Sequence, residues 1–416
     1  MVALSFRNQP RPPDERGPAT GLAQQNHPHR TAPRRAVIAD PASPGRTNDG
    51  DLMFRPALAF ALTIAAAVAM AIAAPTEPAA IDVLDAPALK SPLAPQALIN
   101  GLALAGARVV AVGQRGHVLL SDDQGKSWRQ ASVPSSSDLV AVTFPSPQQG
   151  WAVGHDGVVL RSDDAGVSWT RVLDGKSAAA LMLDHYKRTA DDMADVKLAE
   201  AMVAESERFA AQGAENPFLD IAFEDANNGW LVGAFGLIFR TTDGGASWQP
   251  MLHAADNPRA LHLYAVRAVG GEVYIAGEQG LLLKLDRTAA GGGRLRALEL
   301  PYKGTLFGIT GNTQALLVHG LRGTVLRSTD AGSNWQAVPT GLQVGLTGSS
   351  VGSDGRIVIV SQAGHVLVSD NDGASFRPAT IERPMPAAAV VAAGKHTVLV
   401  GGPRGLAVQT LPQALQ

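Results

Sequence analysis

Apolar residues come in short runs along this chain, and most runs end in a cluster of Gly, Asp, Ser or Asn. One stretch shows the pattern plainly: Leu139–Phe144, Trp151–Gly154, Val158–Ser162 and Trp169–Leu173 follow one another with no helical spacing between them. Short apolar runs bounded by turn formers predict strands, here four to a unit. The unit recurs. VGQRGHVLLSDDQGKSW (112–128), VGHDGVVLRSDDAGVSW (153–169) and VGAFGLIFRTTDGGASW (232–248) align without a gap. VHGLRGTVLRSTDAGSNW (318–335) and VSQAGHVLVSDNDGASF (360–376) follow the same plan, the latter ending in Phe. AGEQGLLLKLD (276–286) and VGGPRGLAVQT (400–410) keep the first half only.

The shared glycine stands at Gly116, Gly157, Gly236, Gly280, Gly323, Gly364 and Gly405, so the period is about 41 residues with one interval near twice that. Seven such units predict an all-β, seven-bladed β-propeller over residues 79–412. Each blade holds strands A to D from the inside outward. The last unit ends too soon for a fourth strand, and we expect Ile81-Asp82-Val83-Leu84 to supply it, an N-terminal strand closing the last blade and removing exposed edges.

The doubled interval contains an insertion, residues 177–217, between blades two and three. It has no Gly or Pro from Leu181 to Gln212. Good helix formers and a loose apolar stripe of Leu181, Tyr186, Met193, Val196, Met202 and Phe209 predict one or two amphipathic helices lying across the ring. Such helices serve either as a packed lid or as a docking element.

Residues 1–52 are rich in Pro, Arg, Asn and Gln and predict a disordered leader. Met53-Phe54-Arg55-Pro56, the uncharged run to Ala74 and the small residues at its end read as a signal peptide, 53–74, with Met53 the natural start. The folded part is then exported to a periplasm or lumen. The alternative is an uncleaved segment that anchors it in the membrane.

Composition narrows the function. Lys+Arg number 35 and Asp+Glu 37, with no basic footprint for nucleic acid. The 416 residues include no cysteine, which excludes disulfides, thiolate metal sites and Cys nucleophiles. The ten histidines are scattered without metal-ligand spacing. We expect neither cofactor nor metal, and a monomer.

The motif Ser/Thr-x-Asp-x-Gly-x-x-Trp stands at Ser121-Asp123-Gly125-Trp128, Ser162-Asp164-Gly166-Trp169, Thr241-Asp243-Gly245-Trp248 and Ser328-Asp330-Gly332-Trp335, with a weaker copy at Ser369-Asn371-Gly373-Phe376. A carboxylate in a C–D hairpin can accept from its own turn's N–H groups, Gly supplies a left-handed residue, and the aromatic packs below. Asn371 fits that hydrogen-bonding role better than an acid–base role. The motif resembles the Asp-box, or bacterial neuraminidase repeat. The longer unit at Gly150–Trp169 and Gly229–Trp248 is similar to that of the photosystem II stability/assembly factor family. That resemblance implies an exported seven-bladed propeller acting as an assembly chaperone. The insertion and the leader depart from the family pattern.

Resemblance to sialidases would instead imply a glycoside hydrolase with an arginine trio, a Tyr–Glu pair and an acid. The inner strands supply few acids, Asp220 being the exception, and Tyr264 and Tyr274 with Glu272 form only a doubtful constellation. The leading reading is therefore non-catalytic: a scaffold or assembly factor for a membrane-embedded protein partner. A glycan-binding or sialidase-like propeller and an accessory subunit of an envelope transporter are the alternatives. The insertion shares a face with the B–C turns, which offer Arg115, His155, Phe235, Arg322 and Arg404 as partner contacts, beside Tyr186 and Met193 of the insertion. Arg161, Arg240 and Arg327, with Lys284, end their C strands and form a basic band that either holds an acidic segment or neutralises the neighbouring boxes.

Overall fold

The alternation of apolar runs and turn formers does build strands. The computed structural model describes residues 81–289, 292–381 and 384–411. The leader at 1–52 and the signal segment at 53–74 lie outside the described residues. Among the described residues seven antiparallel sheets form, each following the chain from one edge to the other. They span 99–130, 139–173, 218–250, 263–297, 306–337, 346–378 and 389–410, one for each repeat. Each inner A strand lies beside that of the next sheet, and the seventh returns to the first, so the ring is closed.

Blade two shows how sequence sets the layers: Leu139–Thr143, Gly150–Gly154, Val159–Ser162 and Thr170–Leu173. The B strand is buried at every position, because a propeller sandwiches it between two neighbouring sheets. D strands lie at the rim and shrink to two residues, as at Arg129–Gln130 and Gln336–Ala337. The core is therefore shared between blades. Trp151, Val153 and Val159 of blade two pack with Leu231, Phe239 and Trp248 of blade three, each fully buried aliphatic contributing about 1.5–3 kcal/mol.

The C–D turn of one blade docks on the blade before it. A β-carbon at Gly166 of blade two would meet Leu120 of blade one at 3.2 Å, and one at Gly332 of blade five would meet Leu298 of blade four at 2.6 Å. The same joint closes the ring, for Gly125 and Trp128 of blade one lie against Leu399 of blade seven.

Closure thus uses side chains, and the expected N-terminal strand is corrected. Among the described residues the last sheet has three strands. Ile81–Leu84 bends instead into a turn, because Asp82 accepts from the Leu84 N–H at 3.1 Å and its carbonyl from Asp85 N at 2.8 Å. The turn sits between blades one and two: Val83 O accepts from Ser136 N at 2.9 Å, Asp85 pairs with Arg171 at 2.9 Å, and Leu84 is buried beside Val133 and Trp169.

The insertion forms two helices, α1 (Gly175–Thr189) and α2 (Val196–Gln212), packed on each other. Asp174 and Ser177 cap α1 reciprocally, each side chain bonded to the other's backbone N–H at 2.9 Å. Ala178, Ala179, Met182, Tyr186 and Phe209 are buried against Leu173, Phe218 and Phe239. The hairpin covers blades two and three; it does not lie across the ring. Val196, expected in the apolar stripe, is 66% exposed because it opens α2 beyond the packed region.

Candidate functional site

Five of the B–C turns are single 3-10 turns whose middle residue is left-handed: Arg115 (φ 56), Asp156 (φ 57), Phe235 (φ 53), Gln279 (φ 55) and Arg322 (φ 58). A non-glycine residue there costs about 1–2 kcal/mol. Five blades share this cost at equivalent positions, so the turn is held by its surroundings. Its leading glycine is extended (Gly113, φ −166), and a β-carbon there would run into the Leu98 carbonyl. Arg115 is exposed while its N–H donates to Asp138 at 2.7 Å; Arg322 and Arg404 are exposed, and His155 is half-buried. These residues share the face occupied by α1, which packs on the His155–Gly157 turn.

At the inner rim of this face the structure assembles an aromatic row that sequence reading missed. Phe235 meets His262 edge-on at 4.7 Å, His262 meets Tyr264 at 6.4 Å, and Tyr264 meets Phe307 at 5.7 Å. All four are half-buried and come from blades three, four and five. Arg208 of α2 lies 5.3 Å above the Phe235 ring, and Phe235 N–H donates to His262 Nδ1 at 2.8 Å. Phe235 is thus engaged with the hairpin and with blade four, rather than standing alone in solvent. Burial and the Glu278 charge push the Tyr264 hydroxyl up to about 12, so it stays a neutral donor. The row ends near Gln362, whose buried Oε1 has no hydrogen-bond partner among the described residues.

Tyr264 and Phe307 are each the second residue of an inner strand, where the A–B register slips by one residue. The same slip falls at Asn100, Val140 and Thr347. There the side chain can reach the next blade: Asn100 Nδ2 donates to Leu139 O at 2.9 Å, and Thr347 Oγ1 to Ala387 O at 2.7 Å. Aligning the starts of the inner strands would have exposed this bulge position.

Tyr186 is corrected from a partner contact to an anchor. It is fully buried, its hydroxyl accepts from Leu252 N at 3.1 Å and lies 3.2 Å from His253 Nδ1, and burial pushes its ionisation up. Met193 is half-buried at the link between the helices.

The basic band stands at the other end of the C strands, beside the Asp-boxes, and is occupied within the ring. Arg161 lies 5.5 Å over Trp151, Arg240 lies 5.2 Å over Trp230, and Lys284 lies 5.8 Å over Tyr274, each across from its aromatic on the neighbouring strand. Arg327 donates to Asp372 O at 2.7 Å. Neutralising the box acids accounts for little of this, since Arg161 pairs with Asp163 at 2.9 Å and not with Asp164.

The Asp-box acids serve their own turns. Asp123 accepts from Ser121 Oγ, Ser127 N and Ser127 Oγ at 2.8, 2.9 and 2.5 Å, and Asp164, Asp243 and Asp330 repeat the pattern. Asn371 accepts from Ser375 N at 3.0 Å and donates its amide to Ser375 Oγ at 2.9 Å. Hydrogen bonds from the partner serine side chains lead in holding Asp123 and Asp243 down at about 2. Trp169 and Trp248 are buried beneath these turns; Trp128 and Trp335 are half-buried.

The acids weighed for catalysis are spoken for. Asp220 is buried between blades three and four, accepting from Val266 N at 2.8 Å and from the Arg267 guanidinium; burial pushes its carboxyl up. Tyr274 is buried and donates to Ala331 O at 3.1 Å, while Glu272 pairs with Lys284 at 3.5 Å, so neither joins Tyr264. Among the described residues no cluster of His, Asp and Glu could hold a metal ion, and no helix is long and apolar enough to cross a membrane.

Residues 96–177 and 200–380, more than half of the chain, match the family described as photosynthesis system II assembly factor YCF48. A photosystem II assembly lipoprotein Ycf48 of Synechococcus sp. (strain CC9902) is 31% identical over 38% of this chain and 47% of its own. That of Prochlorococcus marinus is 34% identical over 37% and 45%. The chain thus spans about half the length of the curated relatives it matches. Among solved structures, YCF48 bound to D1 peptide superposes with a TM-score of 0.53 at 15% identity, covering 76% of this chain and 94% of that one. A streptogramin B lyase structure superposes at 0.55 and 12% identity over 76% and 95%, as expected of a fold that hosts unrelated functions. The chain belongs to the photosynthesis system II assembly factor YCF48 family.

Proposed function

We propose that this protein is a non-catalytic, exported assembly or stability factor that holds a protein client of a membrane complex on its B–C face. The observation that carries the reading is the half-buried row Phe235, His262, Tyr264 and Phe307. Exposed Arg115, Arg322 and Arg404 belong to the turns of the same face. Aromatic and arginine side chains are the groups that most often anchor protein interfaces. The relatives' names, assembly lipoproteins of photosystem II, support both the scaffold role and a site close to a membrane. The client is then an extramembrane segment of a membrane subunit. The absence of catalysis is supported by the engagement of Asp220, Glu272 and the box acids within the ring.

A photo-crosslinking residue placed at Arg322 on the B–C face, or at exposed Lys126 on the Asp-box face, tests this in solubilised membranes. A membrane subunit captured from position 322 and absent from position 126 supports the reading. Equal capture from both positions, or capture from 126 alone, contradicts it.

A further inference from the structure

Six of the sheets have four strands and the last has three among the described residues. Its C strand, Gly405–Thr410, pairs along its whole length with Thr397–Gly402. Leu411 N donates to His396 O at 2.7 Å, so antiparallel alternation directs the main-chain groups of residues 405, 407 and 409 to that same neighbour. The N–H and C=O of Leu406, Val408 and Thr410 face the other way, into the position that a D strand fills in the other blades. Among the described residues, the segment before blade one covers only the beginning of this edge. Ala94–Gln96 abuts Gly405, where a β-carbon would lie 2.6 Å from Gln96 Cα, and Leu406 packs with Ala94 and Ile99. Beyond that point Val408 and Thr410 are exposed.

The charge around this edge has one sign. From Pro384 to Gln416 the sequence has no Asp or Glu. Exposed Arg404 stands at the start of the strand, and exposed Lys395 with His396 stands at its end. The acids of the adjoining Asp-box turn are engaged elsewhere: Asp122 with Arg108 at 2.6 Å, and Asp123 with Ser127. D strands in this ring have two to four residues, as at Arg129–Gln130 and Thr170–Leu173, so an occupant needs only a few extended residues.

We propose that the open edge of blade seven takes up an extended, acidic segment of a protein partner as its fourth strand. Main-chain bonds to Leu406, Val408 and Thr410 supply affinity, and Lys395 and Arg404 select for acidic side chains. This surface lies at the outer edge of a blade, away from the aromatic row, and shares only Arg404 with the client face proposed above.

The test uses the full chain and a fluorescent peptide of alternating valine and glutamate, about eight residues long, beside a twin with lysine for glutamate. The acidic peptide binds at least about tenfold more tightly than its twin, and Lys395→Glu removes most of the difference. Hydrogen exchange on the unmodified chain shows the amides of Leu406, Val408 and Thr410 slowed when the peptide saturates. Val408→Pro, which deletes one outward N–H at a position where edge strands accept proline, weakens binding while the chain stays folded at the assay temperature. Equal binding of the two peptides overturns the proposal, and so does protection confined to the B–C turns. Amides at 406, 408 and 410 already slow in the free chain would mean that a segment of the chain itself holds the edge, and would also overturn it.

Discussion

Gly125 of the first blade rests on Leu399 of the last, so closely that a β-carbon would fall 2.6 Å from Leu399 Cδ2 and 2.8 Å from Val408 Cγ2. This contact is the joint of the ring, and it copies the contact each Asp-box turn makes with the preceding blade. Gly125 also has φ 88, which an L-residue adopts only under strain. Gly125→Ala should therefore cost about 1–3 kcal/mol, read as a lower urea midpoint. Exchange protection should fall first in blades one and seven. An unchanged midpoint would mean that the ring closes by other contacts.

Two box tryptophans separate burial from motif. Trp169 is 5% exposed, donates to Gly166 O at 2.9 Å and meets Phe144 edge-on at 6.1 Å. Trp335 makes the same bond at 3.0 Å yet is only half-buried. Trp169→Ala should lower stability by about 3–5 kcal/mol, and Trp335→Ala by clearly less, in paired thermal or urea melts. Equal losses would indicate that the motif bond, not the buried surface, sets the cost.

Acid stability follows from the boxes. The carboxyls of Asp123, Asp243 and Asp330 stand at about 2, below the ordinary 3.8. A lowered folded value means that the stabilisation is complete above pH ~3.8 and is lost as pH falls toward ~2. The melting temperature should drop through that window. Asp243→Asn with its Ser247 partner intact should flatten part of the drop while costing little at neutral pH, because Asn371 already performs this role with Ser375. Asp243→Ala should cost more, since it strips partners from the Thr241 hydroxyl and from both donors of Ser247.

Tyr186 fastens the helical hairpin to the loop after blade three. Tyr186→Phe keeps the ring but leaves the Leu252 N–H without its acceptor at 3.1 Å, a loss of about 1–2 kcal/mol. Hydrogen exchange should quicken in α1 and at Leu252 while the distant blades stay protected. Uniform quickening across the ring would show that the hairpin and propeller unfold as one unit.

Sequence periodicity carried the seven sheets, the strand order and the purpose of the Asp-box, because each repeat states its own local hydrogen bonds. It carried the hairpin too, since a stretch without Gly or Pro after Leu181 can form helix. Closure was not legible: Ile81–Leu84 reads as a strand by its apolar residues, and the bonds that the Asp82 side chain and carbonyl accept from its own turn bend it away. The aromatic row was equally hidden. Phe235 stands in a B–C turn and His262 just before an inner strand, and the bulge in two inner strands places Tyr264 and Phe307 beside them. The basic band was visible as a register, but its cross-strand aromatics, Trp151, Trp230 and Tyr274, determine that it faces inward contacts.

The central claim is that the aromatic row holds the client. Co-purification of the client membrane subunit should be compared between the native chain and the Tyr264→Ala, Phe307→Ala double variant, with melts recorded alongside. The account predicts that capture falls by about tenfold or more, as for paired hot-spot residues, while the variant stays folded at the assay temperature. Undiminished capture by a folded double variant would contradict it.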